Sequence, residues 1–109
     1  MGVVVHRFDV VLINLSPTIG REIQKTRPCL VISPDEMNQH IGTIIIAPMT
    51  TRERSYPTRV SCSFQSKTGQ VVLDQIRTVD KARVIKNLEQ IDPETQKAVL
   101  STLAALFAE

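Results

Sequence analysis

Arginine, threonine, glutamate, aspartate and glutamine are the side chains this sequence offers for chemistry. The two cysteines, Cys29 and Cys62, lie far apart without a CxxC. The two histidines, His6 and His40, are not spaced as zinc ligands. The sequence has no Ser-His-Asp or Cys-His pattern and no Gly-rich phosphate loop. A set of this kind suits electrostatic handling of an anion such as phosphate. Arg27 is the leading candidate. Residues 19–26 are polar and charged without periodicity, and Pro28, lacking an N–H, belongs at the first residue of a strand or at an edge. Arg27 therefore stands where a loop enters a sheet, and a guanidinium can clamp phosphate through two N–H groups. Ion pairing at a strand end is its alternative role. Thr50, at the end of another expected strand, can donate a hydroxyl hydrogen bond, although β-propensity alone also accounts for a threonine there. Asp74-Gln75-Ile76-Arg77-Thr78 forms a polar patch in an apolar stretch. Such groups need partners, either one another or a ligand.

Strand signals dominate the elements that must position these residues. Arg7–Leu15 alternates with apolar residues on both faces. Pro28–Ser33, Thr43–Met49, Thr58–Ser63, Gln70–Thr78 and Val84–Ile91 read as further strands. Ser33-Pro34-Asp35-Glu36 has the form of a capping box and predicts a short helix ending near 38–42. Gln65–Gly69 reads as a turn, and Thr78–Lys81 as a tight turn or a short 3₁₀ segment. Asp92-Pro93-Glu94 predicts a C-terminal helix with Val99, Leu103, Leu106 and Phe107 as its apolar stripe. The expected class is mainly β with helices: a small antiparallel barrel or sheet carrying one C-terminal helix.

With 109 residues, a single domain spanning 1–109 is expected. Thirteen basic against eleven acidic residues leave +2, which excludes a supercharged nucleic-acid tail but not a local basic site. Two basic windows stand out: Arg21, Lys25 and Arg27 against Glu22, and Arg52, Arg54 and Arg59 against Glu53. A solvated loop face is the plain explanation for either. No apolar run approaches the ~20 residues of a membrane helix, and Met1–Asp9 does not resemble a signal peptide. A cytoplasmic protein with two reduced, buried thiols is expected.

Several blocks together resemble the MazF/PemK family of toxin endoribonucleases. They are Asn14–Glu22, Thr26-Arg27-Pro28, Val31–Asp35, Ala47-Pro48-Met49-Thr50-Thr51, Tyr56-Pro57 and Val72–Asp80. The similarity runs from about Phe8 to Phe107, with the blocks in order. It implies an SH3-like barrel with a C-terminal helix, shared with CcdB-like toxins, and a homodimer. It also implies metal-independent, cofactor-free cleavage of single-stranded RNA, leaving 2′,3′-cyclic phosphate and 5′-hydroxyl ends, under control of a cognate antitoxin. The family's catalytic Arg falls on Arg27 and its catalytic Thr on Thr50. Glu22, Lys25, Arg52, Arg54, Gln75 and Arg77 are the expected RNA contacts. The sequence departs from the family in having Ile23 after the loop Glu and Lys25-Thr26 before Arg27. Both changes bear on loop contacts and so on sequence preference. A non-enzymatic toxin of the same fold that binds DNA gyrase is the competing class, and an inactive relative is the third.

Overall fold

The computed structural model describes residues 4–109. Seven strands follow in the order β1 (Asp9–Asn14), β2 (Thr26–Val31), β3 (Thr43–Thr50), β4 (Arg59–Phe64), β5 (Lys67–Val72), β6 (Arg77–Asp80) and β7 (Val84–Gln90). A short helix α1 (Asp35–His40) precedes β3, and α2 (Pro93–Leu106) ends the fold. All pairings are antiparallel, along the path β4-β5-β3-β2-β1-β7, with β6 joined to β3. The expected barrel is therefore barrel-like but not closed: the path stops at β4 and β7.

Curvature gives the sheet two cores. Val11, Ile13, Cys29, Val31, Ile44, Ile46, Val79 and Val84 form one. Val10, Leu30, Ala47, Met49, Val60, Val71, Leu73 and Val99 form the other, beneath α2. Residues of β1, β2 and β3 alternate between the two, so both faces of these strands are buried, as the two-sided apolar character of Arg7–Leu15 requires.

Several boundaries differ from the sequence reading for physical reasons. β1 starts at Asp9 because Phe8 adopts a left-handed φ of 72° and the buried Asp9 carboxylate accepts the His6 N–H (2.8 Å) and the Asn87 amide (2.7 Å). The Ser33 hydroxyl does not cap α1. It donates to Asn38 Oδ1 (2.5 Å) and accepts the Ile45 N–H (3.0 Å), tying α1 to β3, while Pro34 takes the cap position. The expected strand Gln70–Thr78 is broken by a 3₁₀ turn at Leu73–Gln75, where Leu73 enters the core and the chain leaves β5 for β6. Thr78–Asp80 is strand rather than turn, and the 3₁₀ segment follows at Lys81–Arg83. β5 begins at Lys67, because Gln65 (φ 50°) and Ser66 (φ 65°) make a two-residue hairpin turn.

Helix α2 starts as its sequence requires. Asp92 accepts the Thr95 N–H (3.0 Å) and the Thr95 hydroxyl (2.6 Å), with Pro93 in the first turn. Of the expected stripe, Val99 is buried and Leu103 partly so, whereas Leu106 and Phe107 (70%) stay exposed. No helix among the described residues is long and apolar enough to cross a membrane.

The hydrogen bonds from Thr95 hold the Asp92 carboxyl below the usual carboxylate range. A depressed folded-state value stabilises above the ordinary carboxylate pKa and is lost as pH falls through the folded value. Asp92→Ala is expected to cost about 1 kcal/mol near neutral pH. Urea unfolding should show that deficit shrinking below about pH 4, the ordinary carboxylate range.

Candidate active site

Strand register brings Arg27 and Thr50 to the same end of the β2–β3 pair. β2 and β3 pair at Cys29↔Pro48, Leu30↔Ala47 and Val31↔Ile46. Arg27 and Thr50 each lie two residues beyond the Cys29↔Pro48 pair. Both line one open cleft of about 200 Å³, whose other walls include Met49, Thr51, Cys62, Phe64 and Lys67–Gln70.

Each side chain is held with capacity to spare. Arg27 Nε donates to the Gln24 carbonyl (3.0 Å), which fixes the guanidinium plane while leaving its terminal N–H groups for an anion. Among the described residues, Arg27 pairs with no carboxylate, so the ion-pair alternative does not occur there. Thr50 Oγ1 accepts the Arg52 N–H (3.1 Å). A hydroxyl carries one donor besides its two lone pairs, so the Thr50 proton remains available. Gly69 lies behind this arrangement on β5. A Cβ there would collide with the Thr50 carbonyl, so a side chain at 69 would displace the strand end that presents Thr50.

The 15–25 loop is tied down from the body of the fold. Gln75 Oε1 accepts the Ile23 N–H (2.8 Å), Arg77 donates to the Leu15 carbonyl (3.2 Å), and Arg83 donates to the carbonyls of Asn14 and Ser16 (3.2 and 3.0 Å). Within the loop, Glu22 Oε1 accepts the Ile19 N–H (2.5 Å) and Ser16 Oγ accepts the Lys25 N–H (3.1 Å). The polar patch at 74–78 thus finds protein partners: Asp74 takes Arg59 (2.9 Å) and Thr58 (3.0 Å), and Gln75 and Arg77 take the loop. Of the expected RNA contacts, Glu22, Gln75 and Arg77 shape the loop. Lys25 and Arg52 are exposed beside the cleft, and Arg54 lines a neighbouring one.

The β4–β5 hairpin contributes Cys62, Phe64, Lys67, Thr68 and Gln70, none of which the sequence reading placed at the site. The sequence carries little signal for it: Lys67-Thr68-Gly69-Gln70 holds no apolar residue to alternate, and Gln65-Ser66 lacks the Asn or Gly usual in such turns. The two thiols differ. Both are free; Cys29 is buried as expected, but Cys62 is only half-buried. Burial pushes the Cys29 thiol up to about 12, against the opposing fields of Arg77 and Arg27. Burial raises Cys62 as well, and the charge of Asp92 adds to it.

Two outcomes are expected here. Gly69→Ala should lower stability by about 1–3 kcal/mol, the usual cost of overpacking, read as a shift in the urea midpoint. Iodoacetamide at pH 8 should label Cys62 first and Cys29 only on unfolding, as peptide mass mapping would show.

A profile of the PemK-like, MazF-like toxins of type II toxin-antitoxin systems matches residues 6–107. Endoribonuclease EndoA of Bacillus subtilis is 33% identical over 111 residues, covering 96% of both chains. Among solved structures, MazF of Deinococcus radiodurans superposes with a TM-score of 0.84 at 28% identity, covering 95% of this chain and 96% of the other. A mycobacterial endoribonuclease in complex with its cognate antitoxin does so with a TM-score of 0.79 at 25% identity, covering 93% and 92%.

Proposed function

The chain belongs to the PemK-like, MazF-like toxin family, and from that premise we propose that it is an endoribonuclease that cuts single-stranded RNA at the Arg27–Thr50 cleft. The observation that carries the reading is the pair itself: a guanidinium and a hydroxyl, brought to one cleft by strand register, each with donors left for a phosphate.

In the proposed reaction the 2′-oxygen attacks the adjacent phosphorus. The O2′–P bond forms, the P–O5′ bond breaks, and the proton lost from O2′ is balanced by one gained at O5′. The products are a 2′,3′-cyclic phosphate and a 5′-hydroxyl. Negative charge grows on the non-bridging oxygens, where Arg27 N–H groups and the Thr50 hydroxyl donate. One preorganised donor of this kind contributes about 3 kcal/mol. Guanidinium groups lose their proton only above pH ~12, so the role assigned to Arg27 is charge stabilisation rather than proton abstraction. The reaction as written calls for no metal. Lys25, Arg52 and Arg54 are assigned to substrate phosphates. Glu22, Gln75 and Arg77 serve the substrate by fixing the loop that borders the cleft.

A cognate antitoxin and a homodimer complete the proposal. The mycobacterial relative is seen with its antitoxin. Exposed Leu106 and Phe107 offer apolar surface for association.

The test is incubation of purified protein with long unstructured RNA in EDTA, beside Arg27→Ala, with sequencing of 5′-hydroxyl ends. Wild-type cleavage at a recurring short motif is expected, unaffected by EDTA and lost at least a hundredfold in the variant. Full activity of folded Arg27→Ala would remove the site assignment. No cleavage by either protein would remove the nuclease reading, and gyrase inhibition would then replace it.

A further inference from the structure

A second cleft, of about 580 Å³, adjoins the first. It is lined by Glu53, Arg54, Tyr56, Arg59, Ser61 and Gln70 among others, and Gln70 lies in both. Gln70 is buried and acts like a strand partner for residue 54: its Oε1 accepts the Arg54 N–H (3.0 Å) and its Nε2 donates to the Arg54 carbonyl (2.9 Å). On β5 it pairs with Thr50. One residue thus fixes the β3–β4 loop in relation to the end of β3.

Within this cleft, Tyr56 is an aromatic side chain that the core does not use. About half of its surface (52%) is open. It is nevertheless held firmly. The Arg59 guanidinium lies 5.0 Å from the ring centroid, and Arg59 is itself clamped by Asp74 at 2.9 and 3.2 Å. Although burial alone raises the Asp74 carboxyl, the hydrogen bonds from Arg59 and Thr58 keep it below the usual range, so the clamp stays charged near neutral pH. The Arg59 N–H donates to the Tyr56 carbonyl (3.1 Å), and Pro57 narrows the backbone choices of Tyr56. A cation–π contact of this type is worth roughly 0.5–1 kcal/mol at an exposed site. It sets the ring's orientation from one side and leaves about half of the residue open.

The surrounding groups select the occupant. Asp74 neutralises Arg59, leaving Arg54 and Glu53 as the charged groups of a polar cleft, with the exposed Arg52 on the loop that leads into it. A preoriented aromatic ring beside a cation is how sequence-tolerant single-strand sites hold a base and its phosphate.

We propose that this second cleft is a nucleotide subsite for the same RNA strand, beside the scissile phosphate: a base stacks on Tyr56 and Arg54 takes a flanking phosphate. The proposal rests on the ribonuclease reading above. Gln70 is the positioning residue, joining subsite and cleavage cleft through one amide. Base selection then depends in part on a loop that the chemistry does not use.

Tyr56 is the chain's single tyrosine and there is no tryptophan, so intrinsic emission reports this ring alone. Titrating Arg27→Ala protein with a short unstructured RNA, corrected for RNA absorbance, should quench that emission by stacking. In the same background Tyr56→Ala should weaken RNA binding by about 5- to 150-fold in fluorescence anisotropy, the range for loss of one stacked base, with Tyr56→Phe close to the parent. Arg54→Ala should reduce the slope of log affinity against log salt by about one. Unchanged emission at saturating RNA, or equal binding by Tyr56→Ala, overturns the subsite even if wild type cleaves RNA normally. Quenching without wild-type cleavage retains the RNA subsite and removes the nuclease reading instead.

Discussion

Backbone groups of β3 answer to three other strands. Ile46–Pro48 pair with β2, Thr43–Ile46 with β6, and Met49–Thr50 with β5. A strand bonded on both edges has little freedom to slip, because a one-residue shift would turn Ile44 and Ile46 out of one core and Ala47 and Met49 out of the other. That register carries Arg27 and Thr50 to one end of the β2–β3 pair, where both line the same cleft. Pro48, which has no N–H, lies between the stretch paired with β6 and the stretch paired with β5, where the partner chain leaves the sheet in its 3₁₀ turn. The break therefore falls where one backbone donor is already missing.

The polar side chains divide by what they bond. Gln75, Arg77 and Arg83 use their side chains on backbone atoms of the 14–23 segment, so an irregular loop is fixed at several points without strand pairing. Each such bond adds only about 1 kcal/mol net, yet several together suppress loop motion. The terminal N–H groups of Arg27 and the proton of Thr50 are left over. Leftover donors converging in a concave site, and not basic residues in general, are what distinguish a candidate binding atom from a structural one. Net charge could not make that distinction, since Arg77 and Arg59 are as basic as Arg27 and are already engaged.

Much of the frame was legible in the sequence. The strands around Val10, Leu30, Ile46 and Val60 follow from apolar runs, and α2 follows from its Asp-Pro start. Pro28 pointed to Arg27 as lying near a strand start, but β2 begins two residues earlier than expected, at Thr26, and Pro28 is its third residue, paired with Leu12 of β1 and standing just before the stretch paired with β3. The break at Leu73–Gln75 was not legible, because alternation runs through it and only the change of partner from β5 to β6 reveals it. The turn after Phe64 was legible at Gln65 but was read as five residues, to Gly69, because Gln65 and Ser66 do not advertise the positive φ that makes a two-residue turn there. Reading Lys67–Gly69 as turn rather than strand also hid the far wall of the cleft, from Cys62 to Gln70, which only the hairpin register brings to Thr50. The capping box failed because Ser33 had a better use, bridging Asn38 and Ile45.

Strand and loop divide the proposed labour in a way that their mechanics explain. In-line attack at phosphorus tolerates little misplacement, since a shift of about 1 Å can cost a hundredfold in rate. Arg27 and Thr50 accordingly lie at strand ends, with Thr50 backed by the close approach of Gly69. Stacking on an aromatic face is far more forgiving in register, because every base presents a flat π-surface. Tyr56 can therefore sit on a loop, provided that loop keeps its distance from β3. The two Gln70–Arg54 hydrogen bonds supply that link, made by an amide that also borders the cleavage cleft. Changes in loop sequence between Arg52 and Tyr56 can then alter which bases are held while the paired donors at 27 and 50 keep their geometry.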